Sequence, residues 1–278
     1  MCGRINLTTP NLREVAEAAA ATLDPVIAAD YHPRYNIAPT DEHWQLALVH
    51  GRRQLVRARW GVERRVATSP GQDPGPGPLQ SKLLINARSE GVTGRAWGDD
   101  FRARRCAIPS TGFYEWSGPS GARRPLWFRP AGASQQGLLW LAGLYDEPGP
   151  DGEPRFVILT CPPNTLAATV HDRMPCVLLG DQIEAWLAAP DRDVLRPAPE
   201  GALEVVPVSR RLNDVKNDDP GCLVSEAAPE AAPQGQGPEA SPAPPPAAPT
   251  RTTRATQQMG FAWAEPSAPA PGPSRRRR

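Results

Sequence analysis

The feature that most limits what this chain can fold into is a sharp change of composition at about Glu226. Beyond that point proline and alanine dominate, as in the run SPAPPPAAP, and residues able to form an apolar core are lost. A segment of that composition cannot bury enough apolar surface to offset the entropy lost on ordering. We therefore expect one folded domain over residues 1–225, followed by a disordered tail over residues 226–278.

Three short segments carry further signals about order and partners. The run SPGQDPGPGP, Ser69 to Pro78, predicts a mobile loop over about residues 68–80 because it cannot hold regular structure. In the tail, the apolar segment MGFAW, Met259 to Trp263, is a candidate for binding a protein partner of unknown identity. The terminal run Arg275 to Arg278 is expected to be a solvated charged end, with contact to phosphates as the alternative.

Short strands separated by turns dominate the region before Glu226. They are predicted at residues 44–49, 54–60, 125–128, 138–144, 155–160 and 203–208, with a turn at His50 and Gly51. Helices are predicted from Thr9, as N-cap before Pro10, to about Asp24, and at residues 164–170 and 181–188. Because strands outnumber helices and do not alternate regularly with them, we predict an α+β fold. Its core would be a mostly antiparallel, barrel-like β-sheet with a few flanking helices.

The net charge and the cysteine content indicate the cellular compartment and the class of partner. The net charge of +1 neither demands nor excludes nucleic acid, so any basic surface must be local. The five cysteines form an odd, scattered set without a CxxC pair, which is typical of a reducing cytoplasm. We find no signal peptide and no apolar run long enough for a bilayer, so we expect a soluble, cytoplasmic protein without a membrane partner. A zinc site at Cys161, His171 and Cys176 fits no standard spacing, and no metal or cofactor is expected.

The chain begins Met1-Cys2-Gly3-Arg4, and this start has chemical consequences. A residue as small as cysteine usually leaves the initiator methionine open to removal, so we expect a mature chain that begins at Cys2. That residue would carry a free α-amine and a thiol, with ordinary pKa values of roughly 8 and 8.5. Such a pair captures an aldehyde twice, first as an imine and then as a thiazolidine, because the second step is intramolecular.

Four polar segments lie within otherwise apolar stretches. They are RYNIAPT (34–40), LLINARSE (83–90), CAIPSTGFYEW (106–116) and VHDRMP (170–175). If LLINARSE is one strand, Asn86, Arg88 and Glu90 point to one face. Taken singly, these polar residues have plain structural interpretations, such as a turn cap, a surface ion pair or a helix-terminal histidine. Together with Cys2 they supply a nucleophile, an orienting amide, a carboxylate and an imidazole that titrates near neutrality.

In the order MCGR, RYNIAPT, RWG, INARSE, GFYEW and HDRMP, the chain resembles the SRAP (SOS response-associated peptidase) or abasic-site-processing family, over about Met1 to Cys222. The resemblance implies that Cys2 links covalently to the aldehyde of an abasic site in single-stranded DNA, as part of the DNA damage response. It implies that Asn86 holds the cysteine and the sugar, Glu115 acts as acid or base, and His171 is the catalytic histidine. Lyase activity and self-processing as a thiol peptidase are also implied.

Single-stranded DNA needs cations near its backbone and rings to stack against its bases. We expect Arg4 and Arg88 to contact phosphates, and Thr160 is similar to a family position near the sugar. Wedging or stacking against bases is expected of Pro39, Trp60 and Trp116, with core packing as the alternative for the tryptophans. The chain departs from the family after RWG, reading VERRVATSPG, which leaves the DNA contacts on that side undefined. A monomer is expected.

Three other functions remain open at this point. An N-terminal-nucleophile glutamine amidotransferase also begins Met-Cys-Gly, but its remaining motifs and a synthetase domain are absent from this sequence. A DNA-binding module that holds single strands without a covalent bond would make the cysteine incidental. A thiol peptidase acting on other proteins would need a substrate groove, for which the sequence offers no candidate.

Overall fold

The computed structural model describes residues 2–67, 79–132, 137–146 and 152–226. These residues belong to one unit that spans Met1–Ala231. The predicted tail beyond Glu226 and most of the predicted loop at residues 68–80 lie outside the described residues. Of that loop, Leu79 and Gln80 are described, and they begin a strand.

Strands outnumber helices, as predicted. The strands are β1 (Ile5–Leu7), β2 (Thr22–Leu23), β3 (Arg34–Ile37), β4 (Glu42–Val49), β5 (Arg52–Trp60), β6 (Val62–Ala67), β7 (Leu79–Leu84), β8 (Asn86–Arg88), β9 (Arg105–Ser110), β10 (Gly112–Ser117), β11 (Arg124–Pro130), β12 (Leu139–Asp146), β13 (Arg155–Cys161), β14 (Met174–Pro175), β15 (Val177–Leu178) and β16 (Leu203–Pro207). The α-helices are α1 (Leu12–Ala18), α2 (Pro25–Ala28), α3 (Gly98–Ala103), α4 (Thr165–Ala168) and α5 (Gln182–Ala188). Short 3₁₀-helices span Ser89–Gly91, Arg210–Asn213 and Pro220–Leu223.

A closed ring of strands forms the centre of the larger sheet. Strands β13, β12, β9, β4 and β5 follow one another as antiparallel neighbours. A parallel pairing of β13 with β5, through Phe156 opposite Trp60, joins the two ends of this series. The aromatic rings of Phe156 and Trp60 stack with their centroids 6.3 Å apart, and both side chains are fully buried. The predicted barrel-like core is therefore confirmed.

The second sheet places the N-terminal segment. It is antiparallel throughout, in the order β16-β11-β10-β1-β3, so β1 lies between β10 and β3. Ile5 pairs with Phe113 on one side and with Ile37 on the other, and all three are fully buried. The residues just before Ile5 are thus held at one end of a central strand.

The strand predictions agree well with the structure. The predicted turn at His50 and Gly51 joins β4 to β5, and both residues have positive φ, 50° and 74°. That conformation suits two-residue hairpin turns, in which glycine is favoured. The predicted strands near residues 125–128, 138–144, 155–160 and 203–208 correspond to β11, β12, β13 and β16. The two later helices are present but short, as α4 and α5.

The first predicted helix is wrong at both ends. It begins after Asn11, whose side chain accepts a hydrogen bond from the Arg13 amide at 2.9 Å, and not after Thr9. It ends at Ala18, because Ala20 adopts φ 48° and turns the chain away from the helix. The following residues, Thr22 and Leu23, pair with β5 as strand β2 instead of continuing a helix to Asp24.

The segment LLINARSE is also not one strand. Leu83 and Leu84 end β7, Asn86–Arg88 forms β8 against β13, and Glu90 belongs to a 3₁₀-helix. Asn86 and Arg88 lie on either side of buried Ala87 and follow the predicted alternation. Glu90 lies in the 3₁₀-helix and is not part of that strand. Among the described residues, no helix is long and apolar enough to cross a membrane.

Candidate functional site

The Cys2 side chain is fully buried at the entry to β1. Its Sγ lies 3.8 Å from the Arg4 carbonyl oxygen, to which the thiol donates. The same carbonyl accepts the Tyr114 amide at 2.9 Å, so the backbone before β1 stays aligned with β10. Burial, and then the negative charge of Glu115, raise the pKa of the Cys2 thiol well above its ordinary value. The thiol is therefore protonated at neutral pH.

Asn86 fixes the backbone of Cys2 from the opposite side. Its Nδ2 donates to the Cys2 carbonyl oxygen at 2.7 Å. Strand β8 carries Asn86 next to Ile158 of β13, and the Trp60 indole donates to the Ile85 carbonyl just before it at 2.8 Å. The Asn86 Oδ1 atom is buried and accepts no hydrogen bond from any described residue. A buried acceptor of this kind is available to a hydroxyl donor of a bound ligand.

Glu115 lies on β10, opposite Leu126 of β11, and is 6% exposed. Its neighbours Tyr114 and Trp116 are fully and partly buried, as expected for a carboxyl held in an apolar environment. Burial raises the pKa of the Glu115 carboxyl, and the positive charge of His171 opposes that rise. A carboxyl with a raised pKa can both donate and accept a proton near neutrality.

His171 follows α4, which Asn164 caps by accepting the Ala167 amide at 2.9 Å. The His171 Nδ1 atom accepts the Arg173 amide at 3.0 Å, so the neutral ring carries its proton on Nε2. The Asp172 carboxylate lies 2.7 Å from the same Nδ1 and stabilises the ring when it is protonated there. His171 thus has a partner in either protonation state, and its charge acts on Glu115.

An ion pair fastens the His171 segment to the segment that carries Asn86. The Arg173 guanidinium donates to both carboxylate oxygens of Glu90, at 2.5 and 2.9 Å, and to the Thr160 carbonyl at 2.5 Å. The hydrogen bonds from Arg173 lower the pKa of Glu90 to about 2. Sequence reasoning assigned neither residue a role, although both stand in the quoted motifs INARSE and HDRMP. Their partnership spans 83 positions, for which the sequence contains no local signal.

The structure thus brings Cys2, Asn86, Glu115 and His171 to one place. Asn86 contacts Cys2 directly, the Glu115 charge acts on the Cys2 thiol, and the His171 charge acts on Glu115. The segment before β1, the strands β8 and β10 and the segment after α4 supply one residue each. The cluster contains a nucleophile, an amide and two groups able to move protons, which suits addition to a carbonyl compound.

The residues expected to contact DNA fall into two groups. Arg88 is exposed and makes no ion pair with any described residue, while Pro39 and Trp116 are partly buried. The Trp116 indole donates to Asn213 Oδ1 at 2.7 Å, and the Arg4 guanidinium lies over the ring at 5.4 Å from its centroid.

By contrast, Trp60 and Thr160 are fully buried. Trp60 packs in the core, which is the alternative that the sequence left open, and presents no ring face to a base. The Thr160 hydroxyl lies 3.4 Å from the Ala87 carbonyl, to which it donates. In this conformation neither side chain is accessible to a DNA strand.

Comparisons with known proteins identify the family of this chain and several relatives. A profile of the family described as SOS response associated peptidase (SRAP) matches residues 1–215. The abasic site processing protein HMCES of Gallus gallus is 31% identical over 230 residues, which cover 70% of this chain and 66% of that protein. The abasic site processing protein YoqW of Bacillus subtilis is 28% identical over 240 residues, covering 81% of this chain and all of that protein.

Solved structures share the fold. A protein from Bacteroides thetaiotaomicron superposes with a TM-score of 0.65 at 18% identity, over 81% of this chain and all of that one. A phage-related protein from Bordetella bronchiseptica superposes with a TM-score of 0.55 at 27% identity, over 75% of this chain and 95% of that one. At 18% identity the first likeness bears on the fold alone.

Proposed function

Because this chain belongs to the SOS response associated peptidase (SRAP) family, we propose that it captures abasic sites in single-stranded DNA as a covalent thiazolidine. The link would form at Cys2 after removal of Met1, and would shield the lesion from strand cleavage. The observation that carries the proposal is the placement of Cys2, buried in the segment just before β1, held by Asn86 and acted on by the charge of Glu115. The abasic site processing relatives from Gallus gallus and Bacillus subtilis support the choice of lesion.

The first step is opening of the sugar. An abasic deoxyribose is mainly a closed hemiacetal, and ring opening moves a proton from the C1′ hydroxyl to the ring oxygen. His171, when its Nδ1 is protonated against the Asp172 carboxylate, gives its Nε2 proton to the ring oxygen and then takes the C1′ hydroxyl proton on the same nitrogen. The free Oδ1 of Asn86 accepts a sugar hydroxyl and holds the open form beside residue 2.

The raised thiol pKa sets the order of the two captures. The α-amine of Cys2 adds to the C1′ aldehyde first, because the protonated thiol is a weak nucleophile. Glu115 then donates a proton to the departing hydroxyl, so that water leaves and a protonated imine forms, with Glu115 left as a carboxylate. In the last step the thiol sulfur bonds to the carbon of the protonated imine while the Glu115 carboxylate takes the thiol proton, which restores its acid form. The net reaction releases one water.

Two finer activities are part of this proposal. An imine at C1′ also favours loss of the 3′ phosphate, so lyase activity would compete with ring closure and rise when the thiol is removed. The peptidase activity that we propose is self-cleavage after Met1. A peptidase acting on other proteins would need Cys2 to be accessible to a foreign chain, and its full burial counts against that.

The test is a denaturing gel of full-length protein mixed with a single-stranded oligonucleotide that carries one abasic site. Wild type should form a heat-stable adduct. Cys2→Ala and Cys2→Ser should form none, although both keep an α-amine and should be trapped as the imine by sodium cyanoborohydride. Full, heat-stable crosslinking by Cys2→Ala without reductant would contradict the thiazolidine. An oligonucleotide without the abasic site is the control for simple binding.

A further inference from the structure

The motif RYNIAPT contains a buried amide that the chemistry above does not use. Asn36 lies on β3, next to β1 in the sheet, and is fully buried. Its Nδ2 donates to the backbone carbonyls of Asp214 at 3.0 Å and of Asn217 at 2.7 Å, with Leu212 further away at 3.4 Å. Its Oδ1 accepts a hydrogen bond from the Arg4 guanidinium. One side chain therefore joins the 212–217 segment to the N-terminal segment.

Arg4 connects Asn36 with the candidate site. Besides Asn36, its Nη1 donates to the Leu212 carbonyl at 3.0 Å, and the guanidinium lies over the Trp116 ring, next to Glu115 in the chain. The Arg4 carbonyl accepts both the Cys2 thiol and the Tyr114 amide. The side chain of Arg4 thus fixes a residue whose backbone sets where the Cys2 thiol stands relative to Glu115.

The position of Asn36 is itself firmly held. The Asp218 carboxylate accepts the backbone amides of Tyr35 at 2.5 Å and of Asn36 at 2.9 Å, and it pairs with Arg34. A flip of the Asn36 side-chain amide would swap the positions of Nδ2 and Oδ1. The NH₂ group would then face the cationic Arg4 guanidinium. The Oδ1 atom is therefore constrained to face Arg4.

We infer that Asn36 is a positioning residue for the covalent step: its Oδ1 atom, by holding Arg4, keeps Cys2 aligned with Glu115. The inference rests on the proposed function. A substitution of Arg4 would change two things at once, the position of Cys2 and a candidate phosphate contact. Asn36 is buried and is not exposed to DNA, so its substitution tests the positioning effect alone.

The experiment compares crosslinking of the abasic oligonucleotide by wild type, Asn36→Ala, Asn36→Asp and Asn217→Ala, as full-length proteins below their unfolding temperatures. Asn217→Ala is the matched control, because it removes an amide that donates to the Arg211 carbonyl in the same segment but does not contact Arg4. For each protein the maximal rate constant and the half-saturating DNA concentration are measured.

A positioning role predicts that Asn36→Ala lowers the maximal rate constant at least tenfold and changes the half-saturating concentration less than twofold. Asn217→Ala should stay within twofold of wild type in both. Asn36→Asp keeps an oxygen for Arg4 and loses the donors to the segment, so it should react faster than Asn36→Ala whatever its stability. A purely structural role predicts rates that follow the melting temperatures.

Three results would overturn the inference. These are a folded Asn36→Ala with the wild-type maximal rate, an Asn36→Asp no faster than Asn36→Ala, and failure of both variants to fold, which would make Asn36 a residue of the fold alone. Wild type that forms no adduct would contradict the proposed function instead. Wild type that reacts while the Asn36 variants react equally well would contradict only the positioning role.

Discussion

At the scale of single residues, the site depends on burial, which raises the pKa of two acids, the Cys2 thiol and the Glu115 carboxyl. Burial, helped by the negative charge of Glu115, keeps the Cys2 thiol protonated, and burial also raises the pKa of the Glu115 carboxyl. A protonated thiol leaves the first attack to the α-amine, and a carboxyl that holds its proton above its ordinary range can release water from the adduct. This environment supports the proposed order, in which the α-amine attacks before the thiol.

Glu115 should limit stability while supporting activity. Its folded pKa is raised above the unfolded value of roughly 4.3, so its contribution to stability is lost as pH rises from that value through the folded pKa. Glu115→Gln removes the ionisable group, and we expect a melting temperature above that of wild type at pH 7 but little difference at pH 4. The maximal crosslinking rate constant should fall at least tenfold. Melting curves at both pH values and gel kinetics test this, and a variant less stable than wild type at pH 7 would contradict it.

At the scale of elements, the site is assembled from segments that are far apart in the chain. Cys2 lies in the segment before β1, strands β8 and β10 carry Asn86 and Glu115, and the loop between α4 and β14 carries His171. The bidentate pair between Arg173 and Glu90 connects that loop with the 3₁₀-helix after β8. Since two parallel hydrogen bonds define an orientation, this pair fixes the direction from which His171 approaches.

Loss of the pair should affect chemistry more than stability. Glu90 is half exposed, so solvent screens the ion pair, and Glu90→Gln should cost less than about 1 kcal/mol of unfolding free energy at pH 7. The folded pKa of Glu90 is lowered to about 2, so its contribution is present above the unfolded value of roughly 4.3 and is lost as pH falls towards 2. The crosslinking rate should fall severalfold, because His171 is less well oriented.

The matched control for this change is Glu204→Gln. Glu204 makes a similar surface pair with Arg129 at 2.7 Å, on strands β16 and β11. Denaturant unfolding should give the two variants similar small losses of stability, and only Glu90→Gln should crosslink more slowly. Equal crosslinking rates in the two variants would show that the pair does not orient His171.

Local patterns predicted the elements better than their boundaries or their partners. The His50-Gly51 turn and the strands around it follow from side-chain periodicity and turn chemistry, and both are present. The first helix was placed wrongly because the competing cap at Asn11 and the left-handed Ala20 have weak signals in the sequence. The closing pair of β5 with β13 is parallel and joins distant segments, so no local pattern predicts it.

The same limit applies to the site. The chemistry of an aminothiol at residue 2 follows from the sequence, and the family resemblance indicated Asn86, Glu115 and His171. What it did not indicate is which side chains orient them, because the contacts of Asn36 and Arg173 are made across the fold. Trp60 illustrates the converse, since an aromatic residue of the motif RWG, expected to wedge or stack against bases, is part of the core.

At the scale of the whole molecule, the net charge is only +1. Attraction of the proposed DNA partner would therefore have to come from a local basic surface. Arg88 is the exposed cation nearest in sequence to Asn86, and it makes no ion pair with any described residue. Arg88→Ala should weaken binding of single-stranded DNA without changing the melting temperature, and should reduce the salt slope of binding by roughly 0.7, as expected for one phosphate contact. Titrations by fluorescence anisotropy at several salt concentrations measure this slope. An unchanged slope would contradict the contact.

The central claim is that the amine and the thiol of one terminal residue both bond to the abasic sugar. The most direct measurement is the intact mass of the adduct between wild-type protein and an abasic oligonucleotide, followed by peptide mapping. The account predicts a chain without Met1, joined at Cys2, with a mass equal to the two components minus one water and no free thiol at that position. An adduct that retains Met1, or one in which the Cys2 thiol can still be alkylated, would contradict it.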